Sequence, residues 1–180
     1  DMPVNDQDVV LLKSDGIPTY HFAHVVDDHL MRVTHVVRGE EWLATWPIHV
    51  QLFAALGWKC PKYCHTAHLM KAEGSGKRKL SKRKGDPSFE DLLNQGYLTE
   101  AILNYVALLG WSPKGEYAEQ EIFSLEELTK VFDMTGISKS PAIFDIAKLD
   151  HFNAVYLRAM EPAAFAKVAE PYIRQSVKGD

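Results

Sequence analysis

Between Lys71 and Lys84 the chain places seven Lys/Arg residues against one Glu, a local charge of +6 in a chain whose net charge is −4. The centre of this run is Lys79-Leu80-Ser81-Lys82-Arg83-Lys84-Gly85, with Gly74-Ser75-Gly76 before it and Gly85-Asp86-Pro87 after it. Positive charge concentrated in one loop of an otherwise acidic protein suits an anionic ligand, phosphate above all. The glycines let the backbone close around such a ligand, and Ser81 adds a hydroxyl donor between two lysines. An ammonium on a flexible stem can follow charge as it develops during phosphoryl or nucleotidyl transfer, a task for Lys82 with Lys79 as its partner. The alternative is a solvated basic loop or a localisation tag.

Soft metal ligands also cluster, as Cys60, Cys64, His65 and His68. Their spacing matches no common zinc pattern, and on a strand Cys64 and His65 point to opposite faces. No protein-bound zinc or other metal is expected. His21, His24, Asp27, Asp28 and His29 form a second cluster, in which His24 and Asp28 share a helix face.

The elements that position these residues follow from pattern and punctuation. Val9 to Leu12 reads as a buried strand, followed by a turn at Ser14-Asp15-Gly16. A helix starts at Thr19, and Thr34 to Val37 is a β-branched strand ending at Arg38-Gly39-Glu40-Glu41. Polar residues just past such a strand end are where open α/β sheets bind ligands. Thr45 caps a helix with Pro47 in its first turn, stopped by Gly57. Lys62 to Met70 reads as one strand leading into the basic loop. The first half is thus half of a doubly wound α/β sheet. The second half is nearly all helical. Helices are expected from Ser88, from Thr99, from the Ser124/Glu127 capping box, from Asp145 and from Pro162.

The bulk numbers bound the rest. The chain has 180 residues, 46% of them hydrophobic and 24% charged, ordinary values for a globular protein. No apolar run approaches the ~20 residues of a membrane span. Two cysteines form no disulfide framework, and a cytoplasmic setting without membrane contact is expected.

In its sequence context the lysine loop resembles the second signature of the class I aminoacyl-tRNA synthetases, the KMSKS loop. Asp15-Gly16-Ile17-Pro18-Thr19-Tyr20-His21-Phe22-Ala23, Val25 to Met31, Thr34 to Trp42, Ala55-Leu56-Gly57-Trp58 and Phe144 to Leu149 resemble the bacterial glutamyl-tRNA synthetase family. The resemblance implies the second half of a Rossmann-type catalytic domain at 1–67. It places the signature loop and a stem-contact domain at 68–157, and the start of an anticodon-binding region at 158–180. It implies catalytic roles for Lys79, Ser81 and Lys82. ATP would be bound by Trp42, His65, Leu80 and Lys82, and glutamate by Tyr20, His24, Arg38 and Glu41. The His and Asp residues around His24 then become pocket and structural positions. His24 departs from the Asn usual in bacterial relatives, and brings a larger, titratable ring. The implied substrates are L-glutamate, ATP with its Mg2+, and tRNA(Glu), in a monomeric parent. The first class I signature, the HIGH motif, has no match, so the chain is expected to be an internal piece without activity alone. Two readings compete: a glutaminyl-tRNA synthetase-like enzyme, against which the helical tail after Phe144 argues, and a non-catalytic tRNA-binding module. A further rival, the tRNA-modifying paralogue that transfers glutamate to a queuosine base, lacks a full stem-contact region, whereas this chain continues well beyond residue 100.

Overall fold

Helix α1 (Tyr20–Leu30) begins where Thr19 holds extended backbone, and it buries Val25 completely. The Thr19 hydroxyl does not cap it, donating instead to the carbonyls of Val10 and Leu11 at 2.8 and 3.3 Å. In this computed structural model, which describes residues 5–177, Val9 to Leu12 is therefore not the expected buried strand. The chain folds back through the Asp15-Gly16 turn, Thr19 N–H donates to Leu11 O at 2.8 Å, and a single bridge joins Leu12 to Pro18. Val10 is 66% exposed and Leu12 55%. Four apolar residues in a row carry no period that separates a strand from a turn flank, and the turn beside them wins.

Strands β1 (His35–Gly39) and β2 (Lys62–Thr66) pair in parallel, His35 opposite Lys62 and Gly39 opposite Thr66. A parallel pair needs a crossover. It is supplied by a 3-10 turn at Glu40–Thr45 and by helix α2 (Trp46–Ala55). Pro47 sits in the first turn of α2, where a missing N–H costs nothing. Ile48, His49 and Phe53 form the buried face of α2, which packs on α1. These elements make up one of two compact units, Asp1–Ala67; the other is His68–Asp180.

The second unit opens with an antiparallel hairpin, β3 (Leu69–Glu73) and β4 (Gly76–Lys79), with Gly74 at φ +57 in its turn. Strand β5 (Ala142–Ile143) pairs in parallel with β3. The segment expected as one strand from Lys62 to Met70 is thus two strands in two sheets. β2 stops at Thr66, where its partner β1 runs out, and neither Gly nor Pro marks the break.

The remainder is helical: α3 (Phe89–Asn94), α4 (Thr99–Leu108), α5 (Leu125–Val131), α6 (Ile146–Ala159) and α7 (Pro162–Ser176). Ser88 with Asp91 and Ser124 with Glu127 form reciprocal capping boxes, and Asp145 caps α6 through Ala147 N–H. Thr99 is not a cap but the first helical residue; Leu98 holds the cap position, and its N–H donates to Asn153 Oδ1 at 2.8 Å. Leu92, Ile102, Tyr105, Leu149 and Phe152 form the main core, and Trp111, Phe123 and Leu128 a smaller one. Among the described residues no helix is long and apolar enough to cross a membrane.

Candidate active site

The candidate residues divide between the two units. In the first, Arg38 lies near the C-terminal end of β1, directly opposite His65 on β2. Its Nε donates to His65 Nε2 at 3.2 Å, one terminal nitrogen donates to His49 Nδ1 at 3.2 Å, and the other to Trp42 O at 3.4 Å. The guanidinium carbon stands 4.9 Å from the centre of the Tyr63 ring and 5.9 Å from that of Trp42, within cation–π range. These contacts engage three of the five guanidinium N–H bonds. The two others, one on each terminal nitrogen, make the fork that a carboxylate accepts bidentately.

The rings around Arg38 form a connected set. Tyr20 stacks on His24 with centroids 5.6 Å apart and leans on Trp42 at 4.7 Å. His24 Nε2 meets the Tyr63 hydroxyl at 3.3 Å, and its Nδ1 lies 3.3 Å from Asp28 Oδ2. His21 Nδ1 and His49 Nε2 are 2.9 Å apart. Tyr63 and His65, two residues apart on β2, share a face and stack.

Burial and charge favour the neutral form of His24, His49 and His65. Burial, with help from His24 and Arg38, drives the pKa of His49 down to about 3. His65 is lowered by burial and then by Arg38. His24 is lowered by burial, against the pull of Asp28, while burial raises Asp28. Burial likewise pushes the Tyr63 phenol well above its ordinary range. Because Arg38 only donates, it assigns the tautomers. His49 takes the proton of Arg38 on Nδ1, so its own proton sits on Nε2 and faces His21 Nδ1, which accepts it. His65 accepts on Nε2 and carries its proton on Nδ1. The hydrogen-bond partners of Arg38 are therefore all neutral, with the Asp28 carboxyl set behind His24. Glu41, also expected here, folds its carboxylate against Gly39, where any Cβ would collide with it.

In the second unit the basic loop is organised by Asp86, which is only 6% exposed. Asp86 Oδ1 accepts from Arg78 at 2.8 Å and from Lys71 Nζ at 3.4 Å, and Oδ2 accepts from Ser81 N–H at 2.8 Å and from the other terminal nitrogen of Arg78. Arg78 also donates from Nε to Glu73 at 2.9 Å. These bonds, with Arg78 foremost and the Ser81 N–H next, hold the Asp86 carboxyl far below the usual carboxylate range. The local charge is consequently not all directed at a ligand: Arg78 is committed to Asp86 and Glu73, and Lys71 leans on Asp86. Lys82, Arg83 and Lys84 form an exposed 3-10 turn ended by Gly85 at φ +79. Lys79 Nζ lies 3.4 Å from His68 Nε2, and Leu80 N–H donates to Leu69 O at 3.0 Å. Among the described residues no group of three His, Cys, Asp or Glu side chains is placed to hold a metal ion.

Tyr20, His24, Arg38, Trp42 and His65 thus come together, and Lys79 to Lys82 share the loop. Three residues of the arrangement escape a reading of motifs. His49 carries a faint signal, a histidine one helical turn before Phe53 on the buried face of α2. Tyr63 is two residues from His65 on β2. Asp86 is a lone acid directly after a run of cations.

Residues 2–151 match the family model described as tRNA synthetases class I (E and Q), catalytic domain. A glutamate–tRNA ligase of Clostridium botulinum (strain Eklund 17B / Type B) is 53% identical over 174 residues, covering 97% of this chain and 35% of that protein. The corresponding ligase of Clostridium tetani (strain Massachusetts / E88) is 53% identical over 173 residues, covering 96% of this chain and 34% of that protein. The crystal structure of a glutamate–tRNA synthetase from Elizabethkingia anophelis superposes with a TM-score of 0.83 at 40% identity, over 96% of this chain and 38% of that one. A glutamate–tRNA ligase from Elizabethkingia meningosepticum, in complex with its amino acid, gives a TM-score of 0.81 at 38% identity, over 94% of this chain and 36% of that one. The chain spans about a third of the length of the curated relatives it matches. With a catalytic-domain match over most of its length and a mixed α/β fold close to theirs, it belongs to the class I tRNA synthetases of the E and Q group.

Proposed function

We propose that the protein carrying this chain is a glutamate–tRNA ligase: it activates L-glutamate with ATP and esterifies the 3′ end of tRNA(Glu). The observation that carries this reading is Arg38, a guanidinium fork fixed by two neutral histidines and a carbonyl at the end of a parallel strand. The positive charge recognises a carboxylate and discriminates against the neutral amide of glutamine. Tyr20, His24, Trp42 and Glu41 are proposed to shape the rest of the amino-acid site. Trp42, Leu80 and His65 are proposed to face the nucleotide, His65 in addition to its bond with Arg38.

A glutamate carboxylate oxygen attacks the α-phosphorus of ATP, the bond to the bridging oxygen breaks, and pyrophosphate leaves. A ribose hydroxyl of the terminal tRNA nucleotide then attacks the acyl carbon and AMP departs. Lys79 and Lys82 stabilise the charge that gathers on the phosphates, with Ser81 as a hydroxyl donor beside them. Mg2+ enters with ATP as part of the substrate. Catalysis of this kind is positioning and electrostatics, and it needs no side-chain nucleophile. In this reading 1–67 belongs to the catalytic domain, 68–157 is the signature loop with the stem-contact domain, and 158–180 begins the anticodon-binding region. The parent is proposed to act as a cytoplasmic monomer.

The test is charging of tRNA(Glu) with labelled glutamate by the full-length protein and its variants. Lys82→Ala is expected to lower kcat by about 100- to 1000-fold. Arg38→Ala is expected to act chiefly through the KM for glutamate. A parent that binds tRNA(Glu) yet never charges it overturns the enzyme reading in favour of a binding module. A parent that charges glutamine instead places it with the glutaminyl enzymes.

A further inference from the structure

A lysine that stabilises a transition state must be held where the charge develops, because its stem alone leaves it free to wander. Lys82 is carried on an exposed turn of the basic loop. Glycines flank it at Gly74, Gly76 and Gly85, and behind Leu80, Lys82 and Phe89 lies an open apolar cavity of about 380 Å3 rather than packed side chains. Two backbone bonds shape the turn from within, Lys84 N–H to Ser81 O and Gly85 N–H to Lys82 O at 2.9 and 3.1 Å, and Leu80 N–H to Leu69 O at 3.0 Å joins its start to β3.

One buried carboxylate ties the turn to the hairpin. Asp86 joins Lys71 on β3, Arg78 on β4 and the backbone N–H of Ser81, the residue immediately before Lys82. Its own N–H closes back on Ser81 O at 3.4 Å, so Ser81 and Asp86 clamp the two ends of the turn together. The Arg78 pairing is bidentate, which fixes direction as well as distance. The carboxylate also offsets the repulsion among cations that would otherwise splay the loop.

Resting on the ligase reading above, we propose that Asp86 is a positioning residue for the signature loop, setting where Lys82 and Lys79 project without touching substrate. Asp86→Asn keeps the shape but removes the charge that binds Arg78, and it turns an N–H2 group toward donors. Asp86→Glu keeps the charge at a longer reach.

The experiment measures glutamate-dependent pyrophosphate exchange in the presence of tRNA(Glu), using the full-length protein, Asp86→Asn and Asp86→Glu. Tryptic cleavage after Lys82, Arg83 and Lys84 is followed alongside, with a melting curve for each variant. Asp86→Asn is expected to lower kcat by about 10- to 100-fold. Its KM for glutamate should stay within about twofold of wild type, because Arg38 is untouched. Loop cleavage should quicken several-fold with melting nearly unchanged, and Asp86→Glu should recover part of kcat. Wild-type kcat in Asp86→Asn overturns the proposal, as does unchanged loop cleavage. A joint fall of kcat, glutamate affinity and melting temperature also overturns it, since that is general damage. If the wild-type protein forms no adenylate, the ligase reading fails, and the cleavage rates alone then decide the tether: faster in Asp86→Asn sustains it, equal rates refute it.

Discussion

The carboxylate-receptor role proposed for Arg38 rests on hydrogen-bond partners that are neutral acceptors: His49, His65 and the Trp42 carbonyl. His49 is the clearest case. It is fully buried, its Nδ1 accepts from Arg38, and its Nε2 faces His21. Replacing it by Phe removes the acceptor and leaves one guanidinium N–H without its partner; replacing it by Gln restores a carbonyl oxygen in nearly the same place. On the proposed reading Arg38 holds glutamate in the ground state and the transition state alike, which puts the effect in KM. His49→Phe is expected to raise the glutamate KM of the full-length enzyme about tenfold, the equivalent of ~1.4 kcal/mol, with kcat within a few-fold. His49→Gln should recover most of it. Steady-state kinetics on both variants check this, and a Phe variant with unchanged KM refutes the role. Arg38 is legible as a candidate because the strand end and the family resemblance both point to it, and Tyr20 through the resemblance alone. His49 is not, because a lone histidine in an apolar helix looks like any core histidine until the strand that faces it is known.

The helices of the second unit were legible because their ends are written in local chemistry. Ser88/Asp91, Ser124/Glu127 and Asp145 announce their helices within four residues. The strands were less so, since a ladder depends on partners far away in sequence. Val9 to Leu12 has no ladder to join, and the run from Lys62 to Met70 divides where β1 ends. What local chemistry also conceals is the tie between elements. Asn104, fully buried in α4, donates to Glu121 O at 3.0 Å and accepts from Phe123 N–H and from the Tyr156 hydroxyl, both at 2.9 Å. It thereby clips the irregular segment before α5 onto α4 and α6. Asn104→Ala leaves the buried Phe123 N–H and the Glu121 carbonyl without their partner and is expected to cost about 3 kcal/mol. Ser124→Ala removes only an exposed cap and is expected to cost about 1 kcal/mol. Urea unfolding of both variants, read as a shift in midpoint at constant slope, distinguishes the two magnitudes. Equal losses would show that the buried clip contributes no more than a surface cap.

At the scale of the whole molecule, charge state is divided unevenly. The buried His49 and the half-buried His24 and His65 all lie in the Asp1–Ala67 unit, and each has its pKa lowered by burial. The unfolded chain takes up protons near pH 6.5 at these positions, whereas the folded one does not, so stability falls as the pH drops below about 6.5. For His49 the loss continues down to about pH 3 and approaches ~1.4 kcal/mol per pH unit. The groups facing it are His21 and His24 on α1, Arg38 on β1, and Tyr63 and His65 on β2; of these Arg38 is positive throughout, which reinforces the direction. Asp28 works the other way: its raised pKa lets the folded state gain a proton sooner than the unfolded one, which recovers a little stability on acidification. Asp86, with its depressed pKa, contributes stability that is present above about pH 3.9 and is lost only below that, which leaves the range from pH 7 to pH 5 to the histidines. Three of the chain's four tryptophans, Trp42, Trp46 and Trp58, belong to the first unit, so their fluorescence reports it. Denaturant midpoints followed by that signal are expected to fall steadily between pH 7 and pH 5, and more shallowly in His49→Gln, which has no ring to protonate. A midpoint that is flat over this range, or a variant whose slope equals that of the wild type, would mean that His49 is protonated as readily in the folded unit as in the unfolded chain. The chain of neutral imidazoles behind Arg38 would then break at its central member.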